Sequence, residues 1–526
     1  MLDKFPKDSD NCFIVYKNQE MTYKNFYTSY MSLAKKMLNL TNKKICVISD
    51  NQLTIILLMF SIWSIKSIFI CLDYQSKTLE NKLKASKPDI IIVDSDIELN
   101  FDTNCYQIVK YDEIKNRTDF SSQIIDIHES DISTICFTSG STSRSKCIQR
   151  RHFTNNITYD GYRNFFNDEN TIITNFHVSS SSFQGLICIV ISNELALHLV
   201  DDKNYNDVDG YIIKHDIDIL YTNPSYLTNF LKFSKCNLKY IFLIGEVLTK
   251  KICSHLFANN ANVKIVNQYG ISECGIITRY VIDYNEFKNE IKGVSIPIGN
   301  KIHNDINISI NKNNQILINL KYFNEYNDGS TNSFVEHEDK KYFNTGDFGE
   351  FIESKLYLRG RKSIKINDNK FYCEELESHI INQFFRKQIN LDCFIVDFFD
   401  KNSNKLQYCL YFTSTDICIN KFTDEIFKIL DKHLMPYWIV KLDKIPYLEN
   451  GKVDRLKFPQ PVQQNIVTNI ISDKFNDFST YGIKNIVINI IKKYINEYFD
   501  ESLTFSENGL DSLNLIFLEQ LIIKKT

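Results

Sequence analysis

Phe137-Thr138-Ser139-Gly140-Ser141-Thr142-Ser143-Arg144-Ser145-Lys146 stands directly behind the strand-like run Ile132–Phe137. Small residues let backbone N–H groups approach a phosphate chain. Hydroxyls donate to its oxygens, and a lysine supplies positive charge. The stretch is not the G-x-x-x-x-G-K-[ST] loop, because its glycine is placed differently. Taken alone, it is equally the composition of a solvated Ser/Thr-rich turn, and the rest of the chain has to decide between the two.

Around this loop, short β-branched and aromatic runs alternate with longer helical patterns. The runs are Lys44–Ile48, Ile90–Val93, Ile132–Phe137, Ile217–Tyr221, Tyr240–Ile244 and Val263–Val266. That rhythm predicts an α/β fold with largely parallel sheets. Leu53–Leu72 is broken by Ser61, Ser64, Lys66 and Ser67, so it reads as a buried helix running into a strand and not as a membrane span. Asn175–Val200 begins extended, continues as an apolar helix and ends in the strand-like Leu195–Val200. Glu350–Gly360 has strand and turn character, after which a shorter α+β pattern runs to about Phe458. Pro459–Asn465 is polar and carries two prolines, as linkers do. Beyond it, Gly482–Asp500 and Ser512–Lys525 have amphipathic helical periodicity.

A chain of 526 residues is too long for one hydrophobic core. The expected division is a large domain over 1–359, a small mobile α+β domain over 360–458, a linker over 459–478 and a short helical segment over 479–526. With 43% hydrophobic and 24% charged residues, the composition is that of a globular protein. The net charge of −3 supplies no long-range attraction to nucleic acid or to an anionic membrane, so neither is an expected partner. The 14 cysteines form no C-x-x-C pair and read as buried reduced thiols. Met1–Asp10 is charged and has no apolar signal core. Together these predict a cytoplasmic protein.

Further short motifs follow one another in a fixed order. They are Ile70-Cys71-Leu72-Asp73, Ile244-Gly245-Glu246, Asn267-Gln268-Tyr269-Gly270-Ile271-Ser272-Glu273, Ile296-Pro297-Ile298-Gly299, Phe343-Asn344-Thr345-Gly346-Asp347, Gly360-Arg361 and Tyr447-Leu448-Glu449-Asn450-Gly451-Lys452-Val453-Asp454-Arg455. With the hydroxyl-rich loop at their head, the chain resembles the adenylate-forming superfamily: acyl-CoA synthetases, luciferases and the adenylation domains of nonribosomal peptide synthetases. The loop departs from the family's T-S-G-T-T-G-x-P-K-G at Ser143, Ser145 and Cys147.

The resemblance implies that Thr138, Ser139, Gly140, Ser141, Thr142 and Lys146 bind the phosphates of ATP. It implies that Gly245 and Glu246 flank the acyl and adenine pockets, and that Tyr269, with Gly270 and Ser272, lies against the adenine. Glu273 would hold Mg2+, and Asp347 would grip the ribose hydroxyls. Physical chemistry gives the same division of labour. A carboxylate attacking the α-phosphorus of ATP needs its charge neutralised by a metal and by cations. Mg2+ usually takes one or two carboxylates plus phosphate oxygens. Lys452 would act as a mobile point charge on carboxylate and phosphate, with Arg361 at the hinge adding a second catalytic cation. Lys452 and the phosphate loop fall in different expected domains, so adenylation would need domain closure.

Amino-acid-activating members of the superfamily carry an aspartate after the fourth motif's aromatic residue, where it pairs with the α-ammonium. Asn175-Phe176-His177-Val178-Ser179-Ser180-Ser181-Ser182-Phe183-Gln184-Gly185 contains no acid. A buried ammonium without a partner is costly, so an aryl or acyl acid is expected in place of an α-amino acid. His177 is either part of that acid site or a hydrogen-bonded core histidine. Near the C-terminus, Phe505–Leu513 resembles the acyl-carrier motif, in which Ser512 at a helix start would take 4'-phosphopantetheine. A plain Asp-Ser helix cap is the other reading of the same residues. Only about one helix follows Ser512, so the expectation is a partial carrier segment, from either a truncated chain or a vestigial carrier. The thiol acceptor is therefore this segment, a separate carrier protein or a downstream synthetase module. Two rival readings are an acyl- or aryl-CoA ligase using free coenzyme A, and a nucleotide-binding protein with impaired turnover.

Overall fold

The computed structural model describes residues 1–526 apart from 75, 77, 95, 100, 102, 119–124, 138–145, 201–207, 231–236, 290, 292–294, 332, 367–368, 401–404, 432–433, 448–451, 463–464, 466, 468–487, 489–490, 493–499 and 501–526. The helical expectations over Gly482–Asp500 and Ser512–Lys525 fall mostly or wholly outside the described residues. By internal contacts the chain divides into two units, Met1–Leu358 with Leu448–Lys452, and Arg359–Tyr447 with Val453–Thr526.

The first unit is built on three sheets. A seven-stranded sheet runs in the order Glu325–Tyr326, Cys147–Arg151, Ile132–Phe137, Ile68–Cys71, Lys44–Ile48, Ile90–Val93, Gln107–Lys110. Its last five strands are parallel. A nine-stranded sheet has six consecutive parallel strands, Lys264–Ile271, Tyr240–Ile244, Ile219–Thr222, Thr171–Thr174, Ala196–Leu199 and Cys12–Tyr16. Parallel strands buried on both faces need continuous apolar runs, and Ile90–Val93 and Tyr240–Ile244 are buried at every position. The α/β expectation with largely parallel sheets therefore holds for these two layers.

Helices fill the core beside them. Gln52–Ser64 buries Thr54 through Trp63 without a break, and Ser181–Ser192 buries Phe183 through Ser192. Helices apolar on every face belong inside a molecule. Asn51 and Ser180 cap them, their side chains accepting from Thr54 N–H and Phe183 N–H. Leu53–Leu72 is thus a buried helix followed by the strand Ile68–Cys71, as its interrupted hydrophobicity predicts. No helix among the described residues is long and apolar enough to cross a membrane.

The third sheet differs from the sequence expectation. Asn307–Ile310, Gln315–Asn319, Lys340–Ile352, Phe334–His337 and Lys355–Gly360 form an antiparallel sheet, of which periodicity suggested only the final strand. Gln315–Asn319 holds the short buried run Ile316-Leu317-Ile318, but the neighbouring strands mix buried positions with exposed ones such as Asn307, Lys340 and Lys341, so no longer apolar run marks them.

The second unit has a hairpin, Ser363–Ile366 with Asn369–Tyr372, and the helix Cys373–Arg386. A three-stranded sheet follows, Asp392–Asp400, Lys405–Thr413 and Trp438–Lys441, with the helix Ile419–Ile429.

Two buried histidines in the first unit set an acid limit. Burial pushes His152 and His198 down from the ordinary imidazole range to about 4. Each is neutral in the fold and protonates more readily in the unfolded chain. Their contribution is full above pH 6.5 and falls as pH drops toward 4, by up to about 1.4 kcal/mol per pH unit for each. A double His152→Asn, His198→Asn variant should flatten the melting temperature profile between pH 6.5 and 4.5, as read by near-UV circular dichroism.

Candidate active site

In the first unit the sequence motifs meet at the carboxyl ends of the parallel strands, the place where open α/β sheets bind ligands. The hydroxyl-rich loop itself, Thr138, Ser139, Gly140, Ser141 and Thr142 included, lies outside the described residues. Its two ends are fixed by antiparallel pairing of Phe137 with Cys147. Lys146, at the loop's exit, has its Nζ 3.5 Å from the Tyr326 hydroxyl and 5.0 Å above that ring.

Tyr326 in turn donates to Glu273 Oε1 at 3.0 Å. Burial, reinforced by the Glu273 charge, pushes the Tyr326 phenol up to about 12, so at neutral pH it is a donor. Tyr326 comes from the two-residue strand Glu325–Tyr326, which pairs with Ile148 and Gln149. No sequence motif points to it; only the pairing of a short, remote strand brings it here.

Glu273 sits at the tip of a hairpin. The strand Lys264–Ile271 pairs antiparallel with Gly275–Ile282, and Cys274 N–H donates to Ile271 O across the turn. Gly275 adopts φ +78, and a Cβ there would approach Thr154 Cγ2 to 2.4 Å, so the turn accepts only glycine. Ser272 Oγ lies 2.9 Å from Ser181 Oγ, tying the hairpin tip to the first turn of the helix Ser181–Ser192. Tyr269, one strand position before Gly270, donates its hydroxyl to Asp347 Oδ2 at 2.8 Å. Asp347 is 6% exposed, and its N–H donates to Thr345 Oγ1.

On the neighbouring strand, Ile244 pairs with Gln268, which puts Gly245 beside Tyr269. Gly245 has φ +94, and a Cβ on it would lie 3.0 Å from Lys452 Nζ. Glu246 accepts from Ser225 N–H at 2.9 Å. His177 is exposed, with Nδ1 2.8 Å from Ser179 Oγ, so the core-histidine reading does not apply.

Arg361 belongs to the second unit, where it is exposed and its N–H donates to Glu374 Oε2. Ser512 lies outside the described residues. In that same unit, Arg455 makes two bonds to Glu377, Nη1 to Oε1 at 2.7 Å and Nη2 to Oε2 at 2.9 Å. Tyr447 and Val453 form a bridge, and Asp454 N–H donates to Pro446 O, so the stem of the loop 448–452 is pinned at both ends. Glu377→Ala would leave a partly exposed Arg455 unpaired. It should destabilise the second unit by about 2–3 kcal/mol, less than a fully buried pair would lose, as measured by urea unfolding.

A divalent cation fits this geometry. Glu273 is 8% exposed, with one tyrosine donor on Oε1. Among the described residues no three His, Cys, Asp or Glu side chains gather into a metal cage. One carboxylate completed by phosphate oxygens and water is the donor set Mg2+ favours.

The hairpin carboxylate Glu273 and the Tyr269–Asp347 pair thus belong to one α/β unit. A family model described as AMP-binding enzyme matches residues 3–310, more than half of the chain. The chain belongs to the AMP-binding enzyme family. Gramicidin S synthase 2 of Brevibacillus brevis is 22% identical over 498 residues, which cover 87% of this chain and 11% of the relative. The chain thus spans about a tenth of that relative's length. Among solved structures, Klebsiella oxytoca NpsA in complex with 3-hydroxyanthranilyl-AMSN aligns with a TM-score of 0.73 at 15% identity, covering 86% of this chain and 96% of that one. McyG A-PCP, complexed with phenylalanyl-adenylate, aligns with a TM-score of 0.70 at 17% identity, covering 100% and 93%. These two likenesses are of fold.

Proposed function

We propose that the protein adenylates a carboxylic acid lacking an α-amino group, an aryl or acyl acid, and passes the acyl group to the phosphopantetheine thiol of a carrier protein. The substrate carboxylate attacks the α-phosphorus of ATP and pyrophosphate leaves; the thiolate then attacks the acyl carbon and AMP leaves. Lys452 neutralises the carboxylate and α-phosphate as charge builds there. Asp347 accepts the ribose hydroxyls, Tyr269 lies against the adenine, and the loop 138–146 holds the phosphates. Mg2+ on Glu273 supplies charge neutralisation to the phosphate oxygens. Arg361 adds a cation after the second unit reorients for thiol transfer.

The observation that carries the substrate class is the absence of a carboxylate for an ammonium. Asn175–Gly185 has none. Among the described residues of the first unit, the buried carboxylates are Glu273 and Asp347, and each accepts from a tyrosine hydroxyl. The carrier is supported by the Ser512 motif.

Stable sulfamoyl-adenosine analogues test the substrate class by calorimetry. A benzoyl analogue should bind at least about tenfold tighter than its phenylalanyl counterpart, a gap of about 1.4 kcal/mol. Tighter binding of the aminoacyl analogue would reject the reading. Labelled acid, ATP and either a phosphopantetheinylated carrier or coenzyme A then identify the acceptor, with label expected on the carrier.

A further inference from the structure

The strand Cys147–Arg151 alternates, with Ile148 and Arg150 facing the core. An arginine on the inward register is unusual, because guanidinium burial costs several kcal/mol unless an anion compensates it. Arg150 is 1% exposed. Its Nη1 donates to Ser181 O at 3.2 Å and to Gln184 Oε1 at 3.0 Å, and both acceptors are neutral. Its Nε has no partner among the described residues, and no carboxylate pairs with it there. Glu273, whose charge reaches the same buried thiols of Cys136 and Cys274, is engaged by Tyr326.

The surroundings sharpen the imbalance. Ser181 and Gln184 lie in the first turn of the helix Ser181–Ser192, whose N-terminal dipole adds to the positive potential. The Tyr221 hydroxyl is buried with no partner, and it would lie 3.9 Å from a Cβ on Gly185 in that same helix. Arg150 is close enough to oppose the upward push that burial gives this phenol. Two orphaned donors, Arg150 Nε and the Tyr221 hydroxyl, thus lie beside the N-terminal turns of the helix Ser181–Ser192. Ser181, whose carbonyl Arg150 bonds, has its Oγ 2.9 Å from Ser272 Oγ of the hairpin.

We propose that Arg150 and Tyr221 bind a second anionic group on the substrate, so that the acid activated is a dicarboxylate, one carboxylate being adenylated and the other held by Arg150. This rests on Asn175–Gly185 forming the acid-binding wall. It also gives a positive reason for rejecting α-amino acids, because an ammonium would meet a buried guanidinium.

Thermal melting of the full chain tests this without turnover. The probes are benzoate against phthalate, isophthalate and terephthalate, and hexanoate against adipate. At least one diacid should raise the wild-type melting temperature by about 2 °C or more over its monoacid partner. The shift should vanish in Arg150→Met and shrink in Tyr221→Phe, while ATP still shifts both variants. Without ligand, Arg150→Met should melt no lower than wild type, because an unpaired buried charge has been removed. Diacids no better than monoacids, an undiminished shift in Arg150→Met, or a lower melting temperature of that variant without ligand would overturn the proposal. Should Arg150→Met fail to fold, Tyr221→Phe decides: a retained diacid shift rejects it, a reduced one supports it. Absence of pyrophosphate exchange with every acid would count against the adenylation reading and leave a diacid shift standing, so the two failures are distinct.

Discussion

Lys452→Ala is expected to slow acid-dependent ATP–pyrophosphate exchange by about 10²- to 10³-fold, through kcat more than through the KM for ATP. Removing one preorganised charge from a developing anion typically costs about 2.7–4 kcal/mol. Lys452 is grouped with the first unit, and its Nζ and Cε lie 3.0 and 3.2 Å from where a Cβ on Gly245 would sit. That glycine has φ +94, so Gly245→Ala both strains the backbone and crowds the ammonium. It should reproduce part of the Lys452→Ala defect with the lysine still present. Lys452→Arg should not rescue exchange, because a planar guanidinium cannot replace a compact ammonium in so close a fit. Unchanged exchange in Lys452→Ala would remove the lysine from the chemistry.

Asp347→Ala carries the second largest expected effect, a rise of about 10- to 100-fold in the KM for ATP with a smaller change in kcat. Hydrogen bonds to a charged group contribute about 1.5–3 kcal/mol. Asp347 is buried, and its carboxylate is oriented by the Tyr269 hydroxyl on one side, while its own N–H is tied to Thr345. Tyr269→Phe removes that orienting bond while keeping the ring, and should raise the same KM less than Asp347→Ala does. Equal KM values in wild type and Asp347→Ala, by steady-state kinetics at saturating acid, would place the ribose elsewhere.

These residues differ in how far the sequence exposes them. Strands such as Ile90–Val93 and Tyr240–Ile244 are legible because parallel strands in a covered sheet are apolar at every position. Glu273 and Asp347 are legible because short motifs surround them in order. The antiparallel sheet from Asn307 to Gly360 is largely hidden: apart from the three-residue run Ile316-Leu317-Ile318, its strands mix buried positions with exposed polar ones such as Asn307, Lys340 and Lys341. Tyr326 is hidden for a different reason: its contact with Glu273 spans 53 residues and depends on a two-residue strand. Arg150 left one signal in the sequence, an arginine two positions after Ile148 in the strand Cys147–Arg151, but recognising it requires knowing which face is inward. Serial order reveals motifs well and reveals pairings between distant short elements poorly, because the energy of those pairings resides in tertiary packing.

The most direct test of the central claim is acid-dependent ATP–pyrophosphate exchange by the full chain across aryl, fatty, dicarboxylic and α-amino acids, with Lys452→Ala as the control. Exchange with a non-amino carboxylic acid that disappears in Lys452→Ala is the predicted result; exchange with α-amino acids alone, or none with any acid, would contradict it.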